Sequence, residues 1–137
     1  MSNGLKFFSQ EWCDAAREIA NSNDEMYQAF HDAATFTNLM QFGGISRPEL
    51  AVHIEWKEGR IVSWTPAQYD EADLWAILNA EVPTWRDCAE GRSQGSKLLM
   101  AGKIKLVKGP MTAAIQNARA LDSFLHSWGQ VPTDWDI

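Results

Sequence analysis

Three histidines, two cysteines and 18 carboxylates carry most of the reactive potential of this 137-residue chain. Their spacing organises none of them into a reactive set. His31, His53 and His126 each stand alone, without the HxxxH, HExxH or Cys–His spacing that places ligands around a metal. His53 shares the more polar side of an alternating run with Ala51, Glu55 and Lys57, so it reads as a half-buried packing residue or a polar ligand contact. His126 falls near a helix end, where its partial positive charge suits the dipole. Cys13 and Cys88 form no ligand cluster and no bridge framework; they read as small buried thiols in a reducing compartment. Asp70, Glu71 and Asp73 cluster in a loop before a strand, and Glu81, Asp87 and Glu90 flank a short helix. Solvated surface is the ordinary meaning of such clusters, and a catalytic pair the sharper one. Ser46, Ser63, Ser93 and Ser96 lack the GxSxG context of a nucleophile elbow. Gly91-Arg92-Ser93-Gln94-Gly95-Ser96-Lys97 fits neither the Walker spacing nor the dinucleotide fingerprint and reads as a turn. Arg92 and Lys97 could still draw an anionic head group to a pocket mouth. No cofactor and no metal are expected.

The elements that position these residues follow from hydrophobic periodicity. Trp12, Ala15, Ala16 and Ile19 form a helical stripe behind Ser9, which can accept a first-turn amide. Asn21-Ser22-Asn23 ends that helix, and Ser22 with Glu25 reads as the capping box of a second, with Met26, Ala29, Phe30 and Ala33 on its apolar side. From Thr35 the pattern alternates, with Phe36, Asn38, Met40 and Phe42 on one side. The clearest strand follows: Leu50, Val52, Ile54 and Trp56 alternate with Ala51, His53, Glu55 and Lys57. Glu58-Gly59 supplies a tight reversal into Arg60–Thr65, a hairpin closed by Pro66. A further strand is expected over Asp73–Leu78, and a helix with Pro83 in its first turn and Trp85, Cys88 and Ala89 as its stripe. A short helical or turn segment is expected over Lys97–Ala101, then a last strand over Lys103–Lys108 with Ile104 and Leu106 inward and lysines guarding the edge. One long closing helix, about residues 111–128, carries Met111, Ala114, Ile115, Ala118, Leu121, Leu125 and Trp128 on one side. The tail to Ile137 reads as irregular, with Trp135 as its only anchor. This order of segregated hairpins and flanking helices predicts an α+β domain with one mixed sheet over residues 1–137.

Composition narrows the function classes. With 45% hydrophobic and 22% charged residues, the chain is neither disordered nor fibrous. Its length implies a folded surface of about 7,000 Å², enough burial for a core without staples. A net charge of -6 opposes nonspecific nucleic-acid binding, so no nucleic acid is expected as partner. No stretch is apolar for long enough to span a membrane, and the start lacks an export signal, so the cytoplasm is the expected compartment. Seven tryptophans call for an aromatic core, a cavity wall or an oligomer surface.

From Leu50 onward the sequence resembles the sterol carrier protein 2-like lipid-binding family. The resemblance rests on Val52-His53-Ile54-Glu55-Trp56-Lys57-Glu58-Gly59-Arg60-Ile61, on the strand beginning Ala72-Asp73-Leu74, and on Leu98-Leu99-Met100-Ala101-Gly102-Lys103-Ile104-Lys105-Leu106-Val107-Lys108-Gly109 before a long helix. It implies a five-stranded mixed sheet with helices packed mainly on one face and an apolar tunnel between them. Carried over by element, Phe36, Met40, Ile54, Trp56, Ile104 and Leu106 would form the strand walls of a ligand site. Leu98 and Met100 from the short helix, with Met111, Ile115, Leu121 and Leu125 from the last, would complete it. The C-terminal Asp134-Trp135-Asp136-Ile137 departs from a Ser-Lys-Leu-type peroxisomal signal. Trp56 and Trp75 are bulky enough to narrow a tunnel.

The function expected is therefore non-enzymatic binding or carriage of an apolar or amphipathic small molecule, such as a fatty acid or a sterol-like compound. Its head group would need one buried polar partner, for which His53, Arg92 or a tryptophan N–H qualifies. A cavity on the order of 300 Å³ is the physical requirement. Two alternatives stand beside it: a small α+β enzyme using His53 or Asp73 on a hydrophobic metabolite, and a structural or homodimer domain using Trp64 and Trp75 on faces turned from the core.

Overall fold

The computed structural model describes residues 4–137. Met1-Ser2-Asn3, part of the start read for an export signal, lies outside the described residues. After a two-residue strand, β1 (Leu5–Lys6), the Ser9 hydroxyl accepts the Trp12 amide at 3.3 Å and opens α1 (Gln10–Asn21). The second helix, α2 (Asp24–Ala29), begins one residue later than the expected capping box. Asn23, not Ser22, is its cap, accepting the Met26 amide at 3.1 Å. Ser22 is occupied in closing α1, with its amide on the Glu18 and Ile19 carbonyls.

The main sheet contains β2 (Asn38–Gly44), β3 (Ala51–Lys57), β4 (Arg60–Pro66), β5 (Ala76–Ala80) and β6 (Lys105–Lys108), in spatial order β4-β3-β2-β5-β6. The β2–β5 pair is parallel and its neighbours are antiparallel, so the sheet is mixed, as expected. The hairpin reverses through Glu58 (φ 51°) and Gly59 (φ 79°), the two successive left-handed residues that match strand twist. A Cβ at Gly59 would also sit 2.9 Å from Ala33 Cβ, so the turn is pressed against the α2 side. A register shift between Glu55 and Trp56 then places Trp64 opposite Ile54.

That bulge corrects one sequence reading: Trp64 is 2% exposed and faces the core, not the solvent. Phe42, Val52, Ile54 and Trp64 share the covered face with Ala76, Leu78 and Ala80. Between β5 and β6 lie α3 (Val82–Ala89) and α4 (Gly95–Met100), and α5 (Met111–Gln116) and α6 (Ala118–Ser127) follow. Trp128 is the hub of an aromatic core, with ring centroids 5.3 Å from Trp12, 5.6 Å from both Trp85 and Phe124, and 5.7 Å from Phe42. Most tryptophans are thereby accounted for by core packing.

The C-terminal part departs from the sequence reading in two ways. The long closing helix is two helices, broken at Asn117 (φ -105°, ψ 20°). Asn117 Oδ1 accepts the His31 amide at 2.9 Å and its Nδ2 donates to Ala113 O, so the side chain competes with the helical ladder. After the break the apolar stripe is no longer one face, and Met111 and Ile115 are 41% and 56% exposed. The tail is also ordered: β7 (Thr133–Asp134) pairs in parallel with β1, and Trp12 Nε1 donates to Thr133 Oγ1 at 2.9 Å. The total surface, 7225 Å², agrees with the size expectation.

Candidate functional site

His53, the histidine placed in the clearest strand, is buried on the sheet face away from the helices. Its Nδ1 accepts the Gln68 and Tyr69 amides, both at 3.0 Å, which makes Nε2 the protonated nitrogen, 2.9 Å from Gln41 Oε1. Gln41 continues to Asn79 Oδ1 at 3.3 Å. Burial holds the imidazole below its usual 6.5, and the two accepted amides also require the neutral ring. This histidine is saturated by its own neighbours. Asp73 is exposed, and among the described residues no hydrogen bond or ion pair joins it to His53.

The other reactive candidates are equally committed. Burial pushes the Cys13 thiol up to about 12 and Cys88 to about 11, the opposite of an activated nucleophile. Arg92 is bound to Asp87 at 2.8 Å and also to Glu90, so it closes its own turn. Glu81 accepts from the Ser46 amide and hydroxyl, and those bonds hold its carboxyl below the usual range. Among the described residues, no three His, Cys, Asp or Glu side chains group as metal ligands. No helix among them is long and apolar enough to cross a membrane.

What remains is a hollow between the covered sheet face and the C-terminal helices. Met40 and Phe42 of β2, Trp56 of β3, Ala76 and Leu78 of β5 and Leu106 of β6 form its floor. Ala113 and Ala114 of α5, Asn117 at the break, and Ala120, Leu121 and Phe124 of α6 form its roof. Phe30, Phe36, Trp75 and Pro110 close the end. Five expected wall residues therefore line it: Phe36, Met40, Trp56, Leu106 and Leu121. Ile54, Ile104 and Leu125 are instead buried in the packed core, and Leu98 packs on the core's edge. Met100 and Ile115 line a separate surface groove between α4 and α5, while Met111 is exposed at the start of α5. Sequence reasoning missed Ala113, Ala114 and Phe124, because the break at Asn117 rotates which helical positions face inward, and it missed Phe30 and Phe42, which reach the hollow from the end of α2 and from β2.

The hollow is small. Its volume is about 60 Å³, room for about four water-sized spheres. Aromatic rings occupy the rest: Phe36 lies 4.6 Å from Phe30, 5.3 Å from Trp56 and 5.9 Å from Trp75 between centroids. Both tryptophans expected to narrow the space do border it. Its polar groups are few. Among the described residues, Trp56, 3% exposed, has no hydrogen-bond partner for Nε1, and Asn38 Oδ1 is likewise buried and unpartnered. The two residues are cross-strand neighbours in the β2–β3 register and so share one sheet face. Asn38 borders an adjoining recess that shares Phe36, Trp75, Ala113 and Asn117 with the hollow. Trp64 and Trp128 also lack a partner for Nε1 among the described residues, but they sit within the aromatic core and not on the hollow.

A mixed five-stranded sheet with helices on one face and an apolar seam beneath the last two defines the structural class. Solved structures share the fold. The chain is similar to the crystal structure of sterol carrier protein 2, with a TM-score of 0.77 and 20% identity over 92% of this chain and 99% of that one. It is also similar to the solution structure of a conserved hypothetical protein, possibly a sterol carrier protein, from Thermus thermophilus, with a TM-score of 0.74 and 20% identity over 98% and 97%. Apo sterol carrier protein 2 from Yarrowia lipolytica gives a TM-score of 0.52 at 18% identity over 90% and 98%. No protein-family model matches the chain, and no curated protein matches it in sequence. The fold is that of sterol carrier protein 2.

Proposed function

We propose that this protein binds an amphipathic small molecule between the sheet and its C-terminal helices, without transforming it, and that α5 moves to admit it. The observation that carries this reading is the apolar hollow roofed by a six-residue helix with no buried residue of its own. At about 60 Å³ the hollow is well short of the roughly 300 Å³ of an ordinary ligand site. Occupancy therefore requires the roof to lift. A short helix without a side-chain cap is the element that can do so at least cost.

The polar groups define the guest further. A hydroxyl both accepts and donates, and would satisfy Trp56 Nε1–H and Asn38 Oδ1 together. Long-chain alcohols and hydroxylated lipids are thus the class that fits. Each buried methylene contributes about 0.8 kcal/mol, so a ten-carbon chain gains roughly 8 kcal/mol. Ordering the guest and displacing the roof cost several kcal/mol of this, which leaves a ten-carbon guest close to the millimolar range and longer chains tighter. The small-enzyme alternative has no comparable support, since His53 is saturated by Gln41 and the Gln68 and Tyr69 amides, and neither it nor the exposed Asp73 lines the hollow. The homodimer alternative keeps only one of its two motive residues, since Trp64 lies in the core while Trp75 borders the hollow and is 36% exposed.

The test is a titration with octanol, decanol and dodecanol against the matching alkanes, followed by tryptophan fluorescence and by mass spectrometry of co-purifying lipid. Saturable binding that strengthens with chain length, tighter for alcohols than for alkanes, is expected. Absence of any saturable signal across both series, with no lipid co-purifying, would sink the reading.

A further inference from the structure

The charges of this chain are segregated. Between Glu90 and Asp122 the sequence holds six basic residues (Arg92, Lys97, Lys103, Lys105, Lys108 and Arg119) and no acidic one. The other six Lys and Arg face all 18 Asp and Glu, so this stretch is +6 and the remainder -12 within a net charge of -6. Arg92 is neutralised by Asp87 and Glu90, and Lys108 reaches the Glu71 carbonyl at 2.7 Å. Lys97, Lys103, Lys105 and Arg119 are exposed and make no ion pair among the described residues. Asp122, the nearest carboxylate along the chain, is taken up by the Ser96 amide and hydroxyl at 2.7 and 2.8 Å.

The same stretch holds four of the seven exposed large apolar side chains of the described residues. Met100 is 68% exposed, and with Ile115 and Lys97 it lines a groove of about 440 Å³ between α4 and α5. Met111 lies one helical turn before Ile115, on the same side of α5. Lys97 lines the groove itself, and the Lys103 amide on Leu98 O at 2.9 Å keeps Lys103 at the end of α4, so exposed apolar side chains and lysines without an ion pair among the described residues share this region. We infer that this α4–α5 face docks onto an anionic phospholipid surface. Met100, Met111 and Ile115 enter the interface, and Lys97 and Lys103 meet the head groups. Charge complementarity selects the occupant: the acidic remainder of the molecule is repelled, which orients the α4–α5 face toward the lipid. This inference is independent of whether the hollow holds a guest.

Flotation with phosphatidylcholine vesicles, with and without phosphatidylserine, tests it on the full chain. Binding is expected only with phosphatidylserine and should weaken as salt rises. Lys97→Glu with Lys103→Glu should lower the partition coefficient at least tenfold, since each basic residue contributes about fivefold. Met100→Asp with Ile115→Asp should abolish binding while leaving the circular dichroism spectrum unchanged, because both side chains are exposed. Lys57→Glu, on β3 and outside the basic stretch, should bind as the parent does. Equal binding to neutral vesicles, or no binding to either kind, overturns the proposal. So does self-association abolished by the Met100 and Ile115 changes without vesicle binding, which would assign the face to a second copy of the chain.

Discussion

Trp56 and His53 occupy the same strand, three residues apart, yet serve opposite faces with opposite chemistry. Trp56 carries an unpaired N–H into an apolar surround, and an unsatisfied buried donor costs about 1–3 kcal/mol. Trp56→Phe keeps most of the ring and removes that donor. The apparent Tm should therefore hold or rise, while the preference for decanol over decane falls severalfold; an unchanged preference would place the alcohol group elsewhere. His53 is held neutral, with its folded pKa below 6.5. Below 6.5 the unfolded chain binds the proton that the folded chain refuses, so this contribution to stability is complete above that pH and lost as pH falls beneath it. Urea midpoints measured from pH 7.5 down to pH 5 should decline with a component that His53→Gln flattens. Identical slopes in both proteins would show that His53 does not carry the effect. Neither role was legible in the alternation alone, which assigns a face but not the partners found on it.

At the level of elements, α1 lies along the outer strand β4 and serves its free edge. Gln10 Nε2 reaches Trp64 O at 3.1 Å, Arg17 Nη1 reaches Val62 O at 3.3 Å, and Asn21 both donates to Ile61 O and accepts Ile61 N. The opposite edge, β6, has lysines for the same purpose. Local signals predicted the hairpin, the Ser9 cap and the proline-led α3, because each depends on residues within a few positions of one another. The break at Asn117 was not predicted, since its cause is the His31 amide, remote in sequence. The β1–β7 pair joins the two ends of the described chain, and no periodicity announces a two-residue strand. Asn117→Ala should remove the tie between α5 and the segment after α2. Amide exchange in α5 should quicken while α6 keeps its protection, and the global loss should be about 1 kcal/mol. A different constraint holds α3 to the turn after α6, where a Cβ at Gly129 would collide with the Ala89 carbonyl. Gly129→Ala should therefore cost about 1–3 kcal/mol, visible as a lowered urea midpoint.

For the whole molecule the question is whether the space under α5 is a site or only an imperfection in the core, and the two cases make opposite demands on one substitution. Phe36 stands half-buried between Phe30, Trp56 and Trp75 and borders the hollow. Phe36→Ala removes it without touching the Trp128-centred core. If the space is merely a packing flaw, the change deepens the flaw, lowers stability by about 3 kcal/mol and yields nothing in return. If the space is a binding site whose occupancy is limited by its own aromatic walls, the same loss of stability accompanies a gain in affinity. Room opened in the empty protein is then room the guest no longer has to create. Decanol should bind Phe36→Ala more tightly and faster than the parent, and the added ligand should restore much of the lost Tm, as linkage requires of any molecule that binds only the folded state. A variant that melts early and is not rescued by decanol would return this region to the core.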